Sequence, residues 1–469
     1  MFGSIGVLSF APFSLKYAIV VSYTYLIYKL FRSKDNRNLN NLFLWSFGYW
    51  TIGTSWIIVS IHYYGDVSLI GSISLFLILS MGCIIFFFLP TLLLKKVFIS
   101  KSNNLLLLVP FILILVEFCR YYFLGGFPWL LPGYIFLDTP YENLYSLIGV
   151  SGLSFLLYFF VTANIVLYSN KTHLLVFNLF LLISFSIPNI FEKTKSDGEV
   201  INFAIMQPST DPFKKFDINY LNNIEDELIS LSSQASEKAD VIVWPEAPLP
   251  YAFESARSQT LIKKIEKPLV SGFFSYQEGD LYNSIINSEQ EIKYNKRRLV
   301  PFGEYIPFEN FLRGLIAFFD MPMSNMTQGK SSQFMDVGYG TFLPLVCFDI
   351  VFGNMVRKDI KTSNYLINVS NDTWFGNSFG PYQHLEISRV RSVENNIPII
   401  RATNDGISAL IDNNGTIVDY MSKGNSGILH VGLVPTNVRT FYNKYGNLLL
   451  YLYFFIVSIK IFFVRMNNA

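Results

Sequence analysis

The chain has 469 residues, of which 51% are hydrophobic, 17% aromatic and only 15% charged, whereas soluble domains usually carry about a quarter charged residues. That much apolar surface has to face lipid, and a formal net charge of +2 without a dense Lys/Arg run offers nucleic acid no electrostatic footprint. Three cysteines and four histidines, with no HExxH or paired-ligand spacing, argue against a disulfide framework and against a resident metal.

In chain order, the first eleven residues (MFGSIGVLSFA) are too short to span a bilayer, and they lack the charged start and small-residue cleavage site of a secretory signal. Apolar runs follow near residues 12–30, 40–62, 69–93, 104–123, 145–169 and 174–190, each close to the roughly 20 helical residues that cross a bilayer core. Charge returns over residues 192–440, and a last apolar run from Leu448 to Val464 closes the chain. The expected division is transmembrane helices over 1–191, a soluble domain over 192–440 and a C-terminal transmembrane helix over 441–469, which makes seven spans.

Lys29, Arg32, Lys34 and Arg37 flank one loop, Lys95, Lys96 and Lys101 the next but one, and Lys171 the next but one again, while Arg465 follows the last span. The loops between, around Gly65 and over 124–143, carry no Lys or Arg. By the positive-inside rule this alternation puts the soluble domain outside the cytoplasm. Within the fourth run, Glu117 and Arg120 are three residues apart, on one helical face. Such a pair is expected to orient helices rather than to do chemistry. The turn Gly125-Gly126-Phe127-Pro128-Trp129 after it is expected at the membrane boundary, lining a lipid path or lying in the aromatic belt.

From Ile201 short apolar runs alternate with amphipathic stretches: INFAIMQ, then Leu221, Ile224, Leu228 and Leu231 at helical spacing, then VIVW. The runs PLVSGFF, FLPLVCF, YLINVS, IPIIRAT and ISALID continue the series, and Asp412-Asn413-Asn414-Gly415 predicts a hairpin turn before TIVDY. This is the pattern of an α/β layered domain. Glu246 leaves the strand VIVW through Pro245, where a carboxylate can serve as general base. Lys296 lies in YNKRRLVPFGEY, which Pro301 and Gly303 mark as a shaped loop. Cys347 ends FLPLVC just before a helix-like FGNMVRKDI, where a helix dipole and a nearby ammonium would lower a thiol's pKa. Alone, a strand cysteine is more often a small core residue, and a Lys in a basic loop more often solvated.

Together, WPEAP, the Lys of YNKRRLVPFGEY and the Cys of LVCFDI stand in the order of the nitrilase superfamily's Glu-Lys-Cys triad. GGFPWLLPGY, LVPFGEYIP, MPMSNMTQG, SNDTWFG and PYQHLEISRVRSVENNIPIIRATNDGISA further resemble the membrane branch of that superfamily, the apolipoprotein N-acyltransferases. The resemblance implies a multi-pass α-helical membrane bundle, with eight helices, plus an inserted α/β nitrilase-like α-β-β-α sandwich on the periplasmic side of a bacterial inner membrane. It also implies that Cys347 takes an acyl group from a phospholipid, typically phosphatidylethanolamine, as a thioester. Glu246 would act as base and Lys296 as oxyanion stabiliser. The acyl group then passes to the amine of a diacylglyceryl-cysteine on an apolipoprotein, without a cofactor.

Glu304 matches a second acidic position of the family, expected to orient Lys296, and Asn283, Tyr282 and Trp374 are expected along the pocket wall. Three positions depart from the pattern. Cys347-Phe348-Asp349 replaces Cys-Tyr-Glu, which removes a phenol and shortens a carboxylate arm, and Phe216 stands where tryptophan is usual. The stretch 318–330, rich in Met, Ser and Gly, is expected to form a mobile arm over the site. A membrane-tethered amidase, with water resolving the thioester, is the alternative the same triad allows.

Overall fold

A computed structural model of the chain describes residues 1–33, 38–65, 67–98, 104–122, 125–186, 198–306 and 325–466. The expected domain junction at 191/192, the basic residues Lys34, Arg37 and Lys101, and most of the arm expected at 318–330 lie outside the described residues. The chain divides into two compact units: Met1–His62 with Val67–Glu192 and Thr440–Ala469, and Tyr63–Asp66 with Lys193–Arg439.

The first unit is helical. Among the described residues, Leu69–Phe98, Leu105–Tyr122 and Glu142–Leu167 are long and apolar enough to cross a bilayer. A fourth span results if Asn38–Gly53 and Trp56–Tyr63, bent by 51°, are taken as one. Helices also occupy the other expected runs, but they are shorter: Ala18–Ile27, Lys171–Ser186 and Leu448–Phe463. The first of these starts late and widens into a π-helical turn at Tyr28–Arg32, and the sixth run continues into residues outside those described. Large apolar side chains such as Ile70, Ile78, Phe455 and Ile456 point outward, a cost in water that lipid removes. Those helices and that outward apolar surface are those of a membrane protein.

Inside this unit the packing is close and aromatic. Phe2–Val7, the helix that the first eleven residues do form, lies so near Asn38–Gly53 that a Cβ on Gly3 would meet the Trp45 carbonyl oxygen at 1.8 Å, the small-residue contact that lets membrane helices approach. Glu117 and Arg120 take different partners. Tyr158 donates to Glu117 Oε1 at 2.6 Å, while Arg120 donates to the Trp129 carbonyl and lies 5.0 Å from the Trp50 ring. Trp129 is buried against Phe127 and Trp56. The GGFPW turn is thus tied into the helical interior by Arg120, so Trp129 is not a belt residue.

The second unit is two six-stranded sheets. One has the order β12-β1-β2-β3-β4-β5, from Gly427–Leu433, Ile201–Gln207, Val241–Val243, Leu269–Gln277, Asp280–Asn287 and Gln290–Asn295. The other has the order β11-β10-β9-β8-β7-β6, from Ile417–Met421, Ser408–Ile411, Ile399–Thr403, Tyr365–Ser370, Thr341–Val346 and Met335–Asp336. Strand alternation builds the layers. Phe203, Ile205, Val243, Val270, Ile367, Val369, Ile400 and Ala402 fill the space between the sheets. On the first sheet's outer face, Ala204, Met206, Ile242 and Phe273 pack with Ile224 and Leu228 of helix Ile218–Ala235. Helix Gly380–Asn395 covers the second sheet's outer face, where Ser388 meets Arg401. The result is the α-β-β-α sandwich. The predicted hairpin turn is present: Asp412 Oδ1 accepts from the Asn414 and Thr416 amides, and Gly415 has φ +80°.

Candidate active site

Each sheet delivers side chains where its strands end. After β2 the chain turns at Trp244-Pro245, and Glu246 follows with Ala247 in the left-handed region at φ +39°, a sparsely populated state for a residue with a side chain. Here β3 runs close: a Cβ on Gly272 would fall 2.6 Å from the Glu246 Cα. Asn283 lies on β4, where alternation turns it inward. Lys296 comes directly after β5 and Glu304 in the loop beyond.

These four form one buried hydrogen-bonded cluster. Lys296 Nζ donates to Glu304 Oε1 at 2.8 Å and to Glu246 Oε1 at 3.4 Å. Asn283 Nδ2 donates to the same two oxygens, at 3.0 and 2.6 Å. The remaining oxygens are also satisfied: Glu304 Oε2 by the Val300 amide and Glu246 Oε2 by the Asn371 amide, each at 2.8 Å. Burial works against the Lys296 charge, but Glu304 and then Glu246 outweigh it and hold the ammonium above its usual range.

Cys347 directly follows β7, with φ +45°, and opens a tight 3₁₀ turn, Cys347–Val351. The expected helix FGNMVRKDI forms as Gly353–Ile360, but it starts six residues past Cys347, beyond the reach of its dipole. The expectation of a depressed thiol pKa is accordingly corrected. Desolvation and the Glu246 carboxylate push the thiol up, against the opposing pull of Lys296, so it rests protonated. Residue 347 nonetheless keeps part of its surface accessible.

Asp349, whose short arm was the chief departure from the family pattern, reaches four donors. Oδ1 accepts from the Arg298 and Arg297 amides at 2.8 and 3.2 Å, and Oδ2 from the Tyr294 hydroxyl and Val346 amide at 2.9 and 3.2 Å. It thereby ties the segment holding Lys296 to the turn holding Cys347. Burial pushes its carboxyl up to about 6. Phe348 is buried edge-on to Phe352, with ring centroids 5.2 Å apart. The pocket-wall expectation divides: Asn283 is in the cluster, whereas the Tyr282 hydroxyl turns toward Asp280, at 3.5 Å. Trp374 lies at intermediate exposure in the turn Asp372–Phe375.

A second group beside Cys347 went unmarked in the sequence. Asp372, His384 and Arg401 are fully buried. A carboxylate oxygen of Asp372, a ring nitrogen of His384 and Cys347 Sγ lie within 4.8 Å of one another. The set does not suit a cation, because Arg401 donates to Asp372 Oδ2 at 2.6 Å and its Nη2 stands 3.0 Å from His384 Nδ1. Burial would raise the Asp372 carboxyl, yet the Arg401 guanidinium holds it well below its ordinary range. Lys215 was missed as well. It is buried in the tract before helix Ile218–Ala235, donates to the Ala247 carbonyl at 3.0 Å, and burial lowers its ammonium to about 8 despite Glu246. Neighbouring Phe216 is half exposed, and the Lys215 Nζ lies 5.3 Å from its ring.

The family profile described as apolipoprotein N-acyltransferase N-terminal domain matches residues 2–163, and that of carbon-nitrogen hydrolase matches residues 204–442. Curated relatives named apolipoprotein N-acyltransferase align along almost the whole chain. That of Haemophilus influenzae is 32% identical over 99% of this chain and 94% of its own. Those of Pasteurella multocida and Pseudomonas syringae pv. tomato are each 32% identical, over 96% and 94% of this chain and 91% of their own.

Proposed function

The chain belongs to the apolipoprotein N-acyltransferase family, and we propose from that premise how its own residues perform the transfer. It is a membrane acyltransferase that moves a fatty acyl group from a phospholipid, through a cysteine thioester, to the N-terminal amine of diacylglyceryl-cysteine on an apolipoprotein.

Cys347 is the nucleophile. As its sulfur attacks the acyl ester carbonyl, Glu246 takes the thiol proton, so a thiol that rests protonated becomes a thiolate only in the act of attack. Lys296 stabilises the tetrahedral oxyanion, held in place by Glu304 and Asn283. The carbon–oxygen ester bond breaks, Glu246 returns its proton to the leaving oxygen, and a lysophospholipid departs. The lipoprotein amine then attacks the thioester. Glu246 accepts its proton and passes it to the Cys347 sulfur as the carbon–sulfur bond breaks, leaving an amide. A thioester divides one difficult ester-to-amide exchange into two easier steps.

The observation carrying this reading is the buried Glu246–Lys296–Glu304 cluster whose charges act on the thiol of a left-handed Cys347. Phosphatidylethanolamine is the proposed donor. The proposed location is the inner membrane of a bacterium, with residues 192–440 periplasmic, on the strength of the Lys/Arg alternation between spans. An amidase would use the same triad, but the match of residues 2–163 to the acyltransferase N-terminal profile favours transfer.

Intact-mass analysis after incubation with phosphatidylethanolamine vesicles tests this, with Cys347→Ala as control. The expected result is a fatty-acyl increment that hydroxylamine removes, that a diacylated lipopeptide discharges, and that the variant lacks. An increment discharged by water but not by lipopeptide would mean a lipid hydrolase. An increment retained by Cys347→Ala would remove Cys347 from the mechanism.

A further inference from the structure

The buried histidine behind the nucleophile has no part in the transfer as written above, and its hydrogen bonds define what it can do. Arg401 Nη2 is a donor only and stands 3.0 Å from His384 Nδ1. That nitrogen must therefore present its lone pair, which leaves the proton on Nε2. Nε2 lies 3.3 Å from the carbonyl oxygen of Cys347, which can only accept. Two independent contacts thus select one tautomer. A proton on Nδ1 would satisfy Asp372 Oδ1 at 3.1 Å, but it would set two donors, Nδ1 and Arg401 Nη2, 3.0 Å apart, and Asp372 already accepts from Ser370 and Arg401, each at 2.6 Å. Burial, then Arg401, accordingly push the imidazolium form down. A ring that is neutral and carries its proton on Nε2 has no lone pair to offer the thiol, so a second Cys-His-Asp proton relay is excluded by the same accounting.

The group at the other end of that bond is strained. Cys347 sits at φ +45°, a sparsely populated state for a residue with a side chain that persists only where its surroundings hold it. We propose that His384 is a positioning residue: by donating Nε2–H to the Cys347 carbonyl, it holds the nucleophile's left-handed turn and so aims Sγ toward Glu246 and Lys296. Helix Gly380–Asn395 supplies the ring, and Arg401 on β9, itself held by Asp372 after β8, orients it. The inference rests on Cys347 being the nucleophile.

The experiment uses the full chain in detergent micelles and reads single-turnover thioester formation from phosphatidylethanolamine across pH, with thermal midpoints alongside. His384→Gln can place an amide N–H near the Nε2 position without a titratable group. His384→Leu cannot, and His384→Asn ends short of the carbonyl. Leu and Asn are expected to slow acylation on the order of tenfold to a hundredfold, as for an orphaned buried hydrogen-bonding group. Gln is expected to recover most of the rate, with the wild-type pH profile. If His384→Leu does not fold, the Gln–Asn pair carries the same contrast. Two results would overturn the proposal: Gln as slow as Asn with a shifted acidic limb, which makes the imidazole a proton carrier, or Leu and Asn as fast as wild type. Absence of a wild-type thioester is a different failure, because it removes the nucleophile assignment itself.

Discussion

The two sheets build their halves of the site on opposite electrostatic plans. On the first, one ammonium is shared by two carboxylates, Lys296 between Glu304 and Glu246, and Asn283 bridges the same oxygens. That hydrogen-bonded cluster holds a carboxylate in excess, ready to take a proton. On the second, Asp372 and Arg401 balance one to one, at 2.6 Å and out of contact with solvent, and His384 between them is uncharged. The first half can exchange protons with a substrate, whereas the second can only hold its shape. A nucleophile placed between them receives its chemistry from one side and its geometry from the other.

The largest expected effect breaks the first plan. Glu246→Gln keeps the size and one acceptor but cannot take a proton, and Gln Nε2 would face Lys296, Asn283 or the Asn371 amide, all donors. Single-turnover acylation is expected to fall about 10²–10⁴-fold, the usual contribution of general base catalysis, with a stability loss of about 1–3 kcal/mol for the buried donor left without an acceptor. A rate within tenfold of wild type would assign the proton to another group.

The next pair sharpens the contrast. Lys296→Met removes oxyanion stabilisation, worth about 10²–10³ in rate, but two carboxylates left side by side can share one proton, which limits the stability loss. Arg401→Met strands Asp372, whose carboxyl Arg401 holds low. Breaking such a buried pair costs about 3–5 kcal/mol. The first variant is therefore expected to be stable and slow, and the second to unfold at lower temperature while retaining more activity per folded molecule. Calorimetry paired with active-site titration of the thioester separates them, and a reversed order would dissolve the distinction between the two halves.

The same asymmetry governs how much was legible in the chain. The first half and the nucleophile follow strand ends marked by Pro245, Gly303 and the run FLPLVC; those local signals marked Glu246, Lys296 and Cys347, while Glu304 stood out only through the family resemblance. The runs INFAIMQ and YLINVS became β1 and β8. By contrast β4 and β5 passed unseen, because Asn283, Ser284, Asn287 and Lys293 break the apolar alternation: Asn283 is polar to build the cluster, and the others bond to Asn295, Asp336 and Glu254. Asp372, His384 and Arg401 carry no motif of their own. They meet across two strands and a helix, and a histidine in GPYQHLEISRV reads as an ordinary helical residue until β9 sets Arg401 beside it. Lys215 likewise carries no motif of its own. In the membrane unit, composition revealed the helices but not the break at residues 54–55 or the burial of Trp129, which depend on what packs alongside.

Asp349 joins the two halves, and its replacement should give the smallest effect. Asp349→Asn can still accept the Arg297 and Arg298 amides on its oxygen and can turn an N–H toward the Tyr294 hydroxyl. It then presents a donor to the Val346 amide, which loses its acceptor. One orphaned buried amide costs about 1–3 kcal/mol, and a slacker tie between Lys296 and Cys347 should slow acylation by less than about tenfold. The pH dependence gives this prediction its sign. The wild-type carboxyl titrates at about 6 in the folded protein, above the roughly 3.9 of an unfolded aspartate. Between those values the native state binds the extra proton, so the stability this group contributes is full below about pH 4 and is lost as pH rises through about 6. The asparagine does not titrate. The variant's deficit in thermal midpoint should therefore be widest near pH 4 and narrow toward pH 7, and a deficit that widened instead would mean the ionised Asp349 is the stabilising form, its four donors outweighing its burial.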